Sequence, residues 1–266
     1  MLRGALHLHS TYSDGEFSLR ELRAIYVDAG CRFACVTDHA DAFVGDASKL
    51  DAYRSECELL SDEQFRLIAG LEYTCVDRMH VLGYGVTSLI DSTDPEHVIA
   101  RIGALGGLAV VAHPKDEAFA TIEAFSTLPA GIEVWNSKYD GRYAPRVGTF
   151  ALLRRLQRKR PDMRAFYGQD LHWRRQYRAL FTAADCDTPA TADVLAALAA
   201  GRYAGMKDEL SLPSDGALPA ALLATFEQVN TRSQSVRRSL TAVHRWLAWL
   251  GFAVPRPLKA QLRRLF

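Results

Sequence analysis

Six of the eight histidines in the chain stand at the ends of apolar segments or in the strand-like "MHVLGYG", and acidic residues accompany four of them in short motifs. The first motif, "HLHSTYSDG", places His7 and His9 one residue apart and Asp14 shortly after them. The motif "GQDLH" repeats that spacing with a carboxylate, because Asp170 and His172 are also one residue apart. Side chains two positions apart on a strand point to the same face, so each pair can bind one metal ion. The two motifs therefore predict metal-binding chemistry.

Four further ligand-type residues lie in similar apolar surroundings: His39 in "VTDH", Glu72 in "GLEYT", His80 in "MHVLGYG" and His113 in "VVAHP". Imidazole nitrogens combined with carboxylate oxygens favour Zn, Mn or Fe and argue against calcium, which prefers oxygen ligands. A single histidine at a strand end is more often a hydrogen-bonded core residue. Burying this many polar groups at one rim without ions would, however, cost several kcal/mol each.

These residues need strands that end at a common edge. The segments with strand character are "LRGALHLHS", "RFACVTDH", "FRLIAGLEYTCV", "MHVLGYGV", "LAVVAHP", "GIEVWN", "MRAFYGQDLH" and "RALFTAA". Helical segments alternate with most of them, which predicts a parallel sheet. About seven such units over roughly 200 residues predict a closed α/β barrel, with the polar residues at the carboxyl ends of the strands, where barrel active sites lie.

The last part of the chain has a different character. We predict a barrel domain over residues 1–210 and a C-terminal helical extension over 211–266 that packs on the barrel. The extension should form one or two amphipathic helices. Apolar residues at helical spacing are expected to face the barrel: Leu240, Val243, Leu247 and Leu250. No acid follows Glu227, so the basic extension is either a path for polynucleotide or a solvated face.

Bulk composition narrows the protein class but not the partner. The 266 residues are 48% hydrophobic and 24% charged, as in globular proteins, and the formal net charge of +1 favours no charged partner. No apolar run is long enough to span a membrane, and the first residues lack a signal peptide pattern. Five cysteines without a CxxC pair predict reduced thiols and a cytoplasmic location.

The order of the motifs resembles that of the polymerase and histidinol phosphatase (PHP) family. The similarity runs over residues 5–172 through "HLHSTYSDG", "VTDH", "GLEYT", "HVLGYG", "VVAHP", "EVWN" and "GQDLH". It implies a distorted seven-stranded (β/α)7, TIM-like barrel. It also implies a trinuclear metal-dependent phosphoesterase or a relative that has lost activity.

Carried over to this chain, the resemblance implies three divalent transition-metal ions, either Mn, Fe or Zn. The first would be held by His7, His9, Glu72 and Asp170. Glu72 would bridge to a second ion, held also by His80 and His113. The third would be held by Asp14, His39 and His172. The resemblance leaves Asp38 to orient a ligand histidine or accept a proton, and the predicted catalytic residues are Asp38, Glu72 and His172. Gln169 departs from the small residue that many relatives have there.

Such ions imply a specific reaction. Two ions a few ångströms apart can bind a bridging hydroxide that attacks phosphorus, while the ions neutralise developing charge. Loop cations near the predicted rim are candidates to bind phosphate oxygens: Lys115, Lys138, Arg142, Arg146, Arg174 and Arg175. Tyr139, Tyr143 and Trp173 could stack on a base. For each of these residues, simple solvation is the alternative interpretation.

Three functions remain open from the sequence. The first is hydrolysis of a phosphomonoester, with a phosphorylated small molecule or nucleotide as substrate. The second is a 5′-3′ exonuclease or nucleotide phosphatase acting on short oligonucleotides. The third is a metal-binding scaffold without activity, which a complete ligand set argues against. Relatives that act on nucleotides often carry an inserted domain, but only thirty-two residues separate His39 from Glu72, so the substrate is less fixed.

Overall fold

A computed structural model describes residues 1–140 and 143–249, with side chains at 234, 236–238 and 240–249 outside the description. The strands are β1 (Leu2–Leu8), β2 (Phe33–His39), β3 (Arg66–Thr74), β4 (His80–Tyr84), β5 (Leu108–Ala112), β6 (Gly131–Asn136), β7 (Arg164–Gly168), β8 (Leu180–Ala184), β9 (Tyr203–Lys207) and β10 (Leu210–Pro213). The α-helices are α1 (Leu19–Asp28), α2 (Ala47–Leu59), α3 (Pro95–Ala104), α4 (Phe119–Ala124), α5 (Val147–Gln157), α6 (Thr191–Ala199) and α7 (Ala220–Trp249).

All ten strands belong to one sheet, in the order β10-β9-β8-β1-β2-β3-β4-β5-β6-β7. The pairs β1–β2, β2–β3, β5–β6 and β6–β7 are parallel. Beyond β7 the chain returns to β1, where Leu8 and Leu171 form a parallel bridge. The Gln169 N–H also donates to Leu6 O at 3.0 Å. The sheet is therefore nearly closed into a barrel.

The α/β class and the barrel-like sheet are confirmed, whereas the count of seven strands is not, because the sheet has ten. The expectation of a parallel sheet is wrong for part of it. β4 pairs antiparallel with both β3 and β5, since five residues between β3 and β4 allow a hairpin but no crossover. β8, β9 and β10 are also antiparallel. The sequences of β9 and β10, "YAGMK" and "LSLP", lack the apolar run that marked the other strands.

The strands that lead to the predicted ligands are buried along most of their length. β2 is buried at every residue but its last, and β6 at every residue. Helices cover one face of these strands and the barrel interior covers the other, which accounts for their continuous apolar runs. Ser18 caps the N-terminus of α1: its hydroxyl accepts from the Glu21 N–H while the Glu21 carboxylate accepts from the Ser18 N–H. The predicted ligands therefore lie at the ends of strands that are otherwise largely apolar and buried.

The described part of the C-terminal region begins to pack on the barrel through α7. Phe226 is buried, with its ring centroid 6.1 Å from that of Trp135 on β6, and the Asn230 side chain donates to Pro145 O. The predicted boundary at residue 210 coincides with the first residue of β10. The predicted contacts of Leu240, Val243, Leu247 and Leu250 lie outside the described residues, so the domain division stays a prediction.

Two further findings concern the whole described chain. Within the described residues, no helix combines the length and apolar character needed to cross a membrane. All five cysteines are free thiols, four of them buried.

Candidate metal centre

The first histidine motif reaches the barrel interior through an irregular strand. His7 adopts a left-handed backbone conformation with φ 61°, and the register between β1 and β2 shifts between Ala5 and Leu8. His9 lies just after the end of β1. Regular strand alternation was the predicted reason why the side chains of His7 and His9 converge. It does not hold here, because the strand is irregular at His7. The convergence itself is present, because His7 Nε2 and His9 Nε2 lie 3.4 and 3.2 Å from Glu72 Oε2.

The "GQDLH" motif faces this strand across the closure of the barrel. Leu171 donates its N–H to His7 O and accepts from the His9 N–H, at 3.3 and 3.1 Å. Asp170 is also left-handed, with φ 52°. Left-handed φ at non-glycine residues costs free energy and persists only where the surroundings impose it. The backbone bonds of Leu171 thus hold the two motifs together, and within "GQDLH" Asp170 Oδ1 lies 3.1 Å from His172 Nδ1.

Glu72 on β3 occupies the middle of the cluster, and its carboxylate is buried. Its oxygens lie between 2.8 and 3.4 Å from a nitrogen of each of these residues: His7, His9, His39, His80 and His113. A carboxylate surrounded by histidines from several strands is suited to bridge neighbouring ions.

Three groups of side chains in the cluster could each hold an ion, with ligand atoms within 4.8 Å of one another. They are His9 with Asp14, His39 and His172; His7 with Glu72 and His113; and His7 with His9 and Asp170. The structure brings all nine predicted ligands together. The grouping differs from the predicted one in four respects. His9 joins the Asp14 group, and His7 joins Glu72 and His113. Glu72 is not in the group of His7, His9 and Asp170, and His80 is in none of the three groups, although its Nδ1 lies 2.8 Å from Glu72 Oε1.

Sequence reasoning missed Glu133, which lies fully buried on β6. Its Oε1 accepts from His7 Nδ1 at 2.8 Å, and its Oε2 accepts from the His113 N–H and the Asn136 side-chain amide, each at 2.9 Å. A Cβ at Gly168 would collide with Glu133 Oε1, so this glycine leaves room for the carboxylate. The available signal was an acid in the middle of the apolar strand "GIEVWN". Glu133 fixes the ring orientation of His7 and leaves Nε2 directed at the cluster.

Two other buried polar residues support the loops around the cluster. Asp38 accepts from the Ser10 N–H and hydroxyl at 2.8 and 2.6 Å and from the Ser13 hydroxyl. It therefore holds the loop that carries Asp14, and its predicted catalytic role stays a prediction. Gln169 accepts from the Tyr26 hydroxyl and donates to Leu180 O, which connects the motif to α1 and β8.

Burial and neighbouring charges shift the pKa values of the central groups in different directions. Burial alone would raise the pKa of Glu72, but the charge of His7 and the hydrogen bond from His113 hold it well below its usual range. Burial alone would lower the pKa of His7, but Glu133, Glu72 and Asp170 hold it well above its usual value. Burial lowers the pKa of His9 to about 3, so its ring is neutral and available as a ligand.

Several buried nitrogen and oxygen atoms of the cluster are free to bind metal ions. The following buried atoms have no hydrogen-bond partner among the described residues: His7 Nε2, His9 Nδ1, His9 Nε2 and Asp170 Oδ2. Buried polar atoms are normally paired, so unpaired ones that converge on one place need an occupant. Nitrogen and carboxylate donors at this spacing suit divalent transition metals.

The predicted substrate-binding cations have different surroundings. Lys138 reaches into the cluster, with Nζ 3.1 Å from Asp170 Oδ1. Lys115 is exposed and has no ion-pair partner among the described residues. Arg174 packs its guanidinium over the Phe17 ring, and Arg146 is paired with Asp140 and Asp116. Arg142 lies outside the described residues.

Aromatic side chains and a groove border the cluster. Tyr139 is 47% exposed with its ring centroid 4.6 Å from that of His113, and Trp173 is 38% exposed beside His172. A groove of about 470 Å³ opens next to His113, lined by Asp77, Arg78, Met79, Lys115, Glu117 and Thr121 among others. Space for a substrate thus lies beside His113 at the edge of the cluster.

Comparison with known proteins gives relatives for part of the chain. No family model matches it. The DNA polymerase/3'-5' exonuclease PolX of Bacillus subtilis strain 168 is 29% identical over 121 residues, covering 38% of this chain and 20% of PolX. The chain therefore spans about a fifth of the length of that relative.

Solved structures give the fold. A two-domain protein of Bacteroides vulgatus ATCC 8482, containing a predicted PHP-like metal-dependent phosphoesterase, matches with a TM-score of 0.55 at 17% identity, over 79% of this chain and 66% of that one. A candidate metal-dependent phosphoesterase of Bifidobacterium adolescentis ATCC 15703 has a TM-score of 0.45 at 18% identity, over 64% of this chain and 87% of its own. The first of these matches confirms, at the level of the fold, the resemblance to PHP proteins that the motifs predicted.

Proposed function

We propose that the chain is a metal-dependent hydrolase that removes phosphate from a phosphomonoester at a centre of up to three divalent ions. The observation that carries this proposal is the position of the Glu72 carboxylate, which lies within 3.4 Å of histidines from four different strands or strand ends. No structural role requires a buried acid to meet so many imidazoles. Bound ions would lower the pKa of water toward neutrality and neutralise charge on the phosphate.

The protein's own residues have distinct roles in this proposal. The ionised Glu72 and Asp170 supply the negative charge that offsets the ions. The neutral His9 offers ring nitrogens without competing protons. Glu133 accepts from His7 Nδ1 and so directs Nε2 at the cluster, where a bound ion would displace the Nε2 proton. His172 and Asp14, 3.2 Å apart, would bind a further ion together with His39, and that ion would offset the charge of the leaving group.

Substrate binding is assigned to the cations at the same rim. Lys138 lies beside Asp170 and His172, and Lys115 lines the groove next to His113. Charge-assisted hydrogen bonds to phosphate oxygens are the strong class of such bonds. Arg174 and Arg142 are proposed for the same role from the sequence. Arg146 is a weaker candidate, because its charge is already engaged by Asp140 and Asp116.

A nucleotide or the 5′ end of a short oligonucleotide is the second candidate substrate. The specific observation is the pair of exposed rings, Tyr139 and Trp173, which contact His113 and His172 at the cluster. An exposed ring beside a phosphate site can stack on a base. The similarity to part of PolX favours the same substrate class.

The test is a phosphate-release assay on protein stripped of metal and reloaded with Mn²⁺, Fe²⁺ or Zn²⁺. The substrates are p-nitrophenyl phosphate, nucleoside monophosphates, a 3′,5′-bisphosphate and a 5′-phosphorylated oligonucleotide. We expect metal-dependent turnover of at least one phosphomonoester and none with the stripped protein. Tight ion binding without hydrolysis of any of these substrates would contradict the proposal and favour the scaffold interpretation.

A further inference from the structure

The Lys138 ammonium lies among the proposed metal ligands and not in the solvent around them. Its Nζ is 3.1 Å from Asp170 Oδ1 and 3.3 and 3.4 Å from the two ring nitrogens of His172. The side chain is only 20% exposed. Asp170 and His172 belong to different candidate groups, so the ammonium stands between two positions that could hold ions.

The fold sets the position of this lysine. Ser137 donates its N–H to Gly168 O at 3.0 Å and its hydroxyl to Gln169 O at 3.1 Å. The Asn136 side-chain oxygen accepts from the Lys138 N–H at 3.1 Å. These bonds attach the loop to the end of β7, directly beside Asp170. Lys138 therefore starts from a fixed backbone and does not sample the surface freely.

One oxygen serves both the lysine and the candidate ion position. Asp170 Oδ1 accepts from Lys138, and the same atom is 3.7 Å from His7 Nε2 and 3.5 Å from His9 Nε2. A divalent ion bound by those two nitrogens and Oδ1 would lie close to the ammonium. Like charges at such distances repel strongly where water is excluded. Lys138 thus compensates the carboxylate, while neither histidine nitrogen has a hydrogen-bond partner among the described residues.

We propose that Lys138 and a divalent ion compete for Asp170 Oδ1, so that the ion held by His7, His9 and Asp170 is the most weakly bound of the centre. The proposal rests on the metal centre of the proposed function. Before that ion binds, the ammonium keeps the buried Asp170 carboxylate paired. When the ion binds, the ammonium turns outward, where it can meet an oxygen of a phosphate. Lys138 therefore makes full loading of the centre depend on the metal concentration.

The test replaces Lys138 with methionine, a neutral side chain of similar length, and measures ion binding without any substrate. Metal-free protein is titrated with Mn²⁺ or Zn²⁺ by calorimetry, with elemental analysis after dialysis. We expect one ion to bind about ten- to a hundredfold more tightly in Lys138→Met, while the other ions keep their affinity. Lys138→Arg keeps the charge and should bind ions like the unaltered protein.

Lys115→Met is the matched control, because it removes a positive charge from the same rim at a lysine without an ion-pair partner among the described residues. Thermal melts of the metal-free variants check that each is folded. Equal affinities in Lys138→Met and the unaltered protein, or weaker binding in the variant, would overturn the competition and leave the metal centre intact. Failure of both proteins to bind ions would overturn the metal centre, and the competition with it.

Discussion

The two halves of the candidate metal centre differ in their exposure to solvent. The buried half consists of residues that are at most 7% exposed: His7, His9, Glu72, His113, Asp170 and His172. The open half consists of residues that are between 21% and 55% exposed: Asp14, His39 and His80. The buried half comes from strands and the barrel closure, and further buried groups such as Glu133 orient it. The open half comes from a loop and from strand ends.

This difference separates two tasks. The ligands of the buried half are held by their surroundings before any ion arrives, so they can set the position and charge of the centre. The ligands of the open half are partly exposed to solvent, so a substrate could reach them directly. Substitutions in the buried half should therefore affect every ion, and substitutions in the open half should affect fewer.

The largest effect is expected for Glu72→Gln in the buried half. An amide lacks the charge that offsets the ions and offers only one oxygen to histidines on both sides. Turnover of the best phosphomonoester should fall by more than about a hundredfold, with a loss of bound metal. The reason is that Glu72 would help to bind the ions that neutralise charge on the phosphate. Elemental analysis and steady-state kinetics measure both effects.

Glu58→Gln is the matched control for that variant, since Glu58 is exposed and pairs with Arg66. It should keep full activity and metal content. Near-normal turnover in Glu72→Gln would place Glu72 outside the active centre and would remove the basis for the comparison between the two halves.

A smaller but still large effect is expected for Glu133→Gln. The amide cannot replace both carboxylate oxygens, because one accepts from His7 and the other from two N–H donors. Either the amide NH₂ faces those donors, or it faces His7 Nδ1 and shifts the ring proton to Nε2, where it blocks an ion. We expect metal affinity to fall by about ten- to a hundredfold while the fold survives.

Calorimetric titration with Mn²⁺ or Zn²⁺ checks this expectation, and circular dichroism checks the fold. Glu123→Gln serves as the control, because Glu123 is partly exposed and pairs with Arg155. An unchanged affinity in Glu133→Gln would mean that His7 needs no orienting carboxylate, and the buried half would then be less dependent on its surroundings than the comparison holds.

The sequence could predict the ligands because they interrupt apolar strands at their ends. It could not predict Glu133, since a single acid inside "GIEVWN" has no spacing that distinguishes it from a strand residue facing solvent. The sequence also could not predict the left-handed backbone at His7 and Asp170. Both residues lie next to the bridge between Leu8 and Leu171, which are far apart in sequence.

The strand count and the position of Lys138 illustrate the same limit. β9 and β10 are short and are stabilised by pairing with neighbours, so their own residues carry little strand signal. Lys138 was predicted to bind substrate because it lies in a loop after a strand. Its approach to Asp170 depends on the bonds of Ser137 to β7 and its neighbour, which only the folded chain provides.

The smallest effect is expected for Asp14→Asn in the open half. Asp14 is 55% exposed, and its Oδ1 lies 3.2 Å from His172 Nε2 and 3.6 Å from His39 Nε2. The substitution removes the carboxylate of one candidate group and leaves the two groups of the buried half complete. One ion should therefore bind more weakly while the others keep their affinity, and turnover should fall less than in Glu72→Gln. Because Asp14 is exposed, the free energy of unfolding of the metal-free protein should change by no more than about 0.5 kcal/mol.

Metal titration and a urea melt measure these quantities, with Asp41→Asn as the control for an exposed acid near the same rim. If Asp14→Asn lost every ion, the two halves would behave as one unit, and burial would not separate their roles.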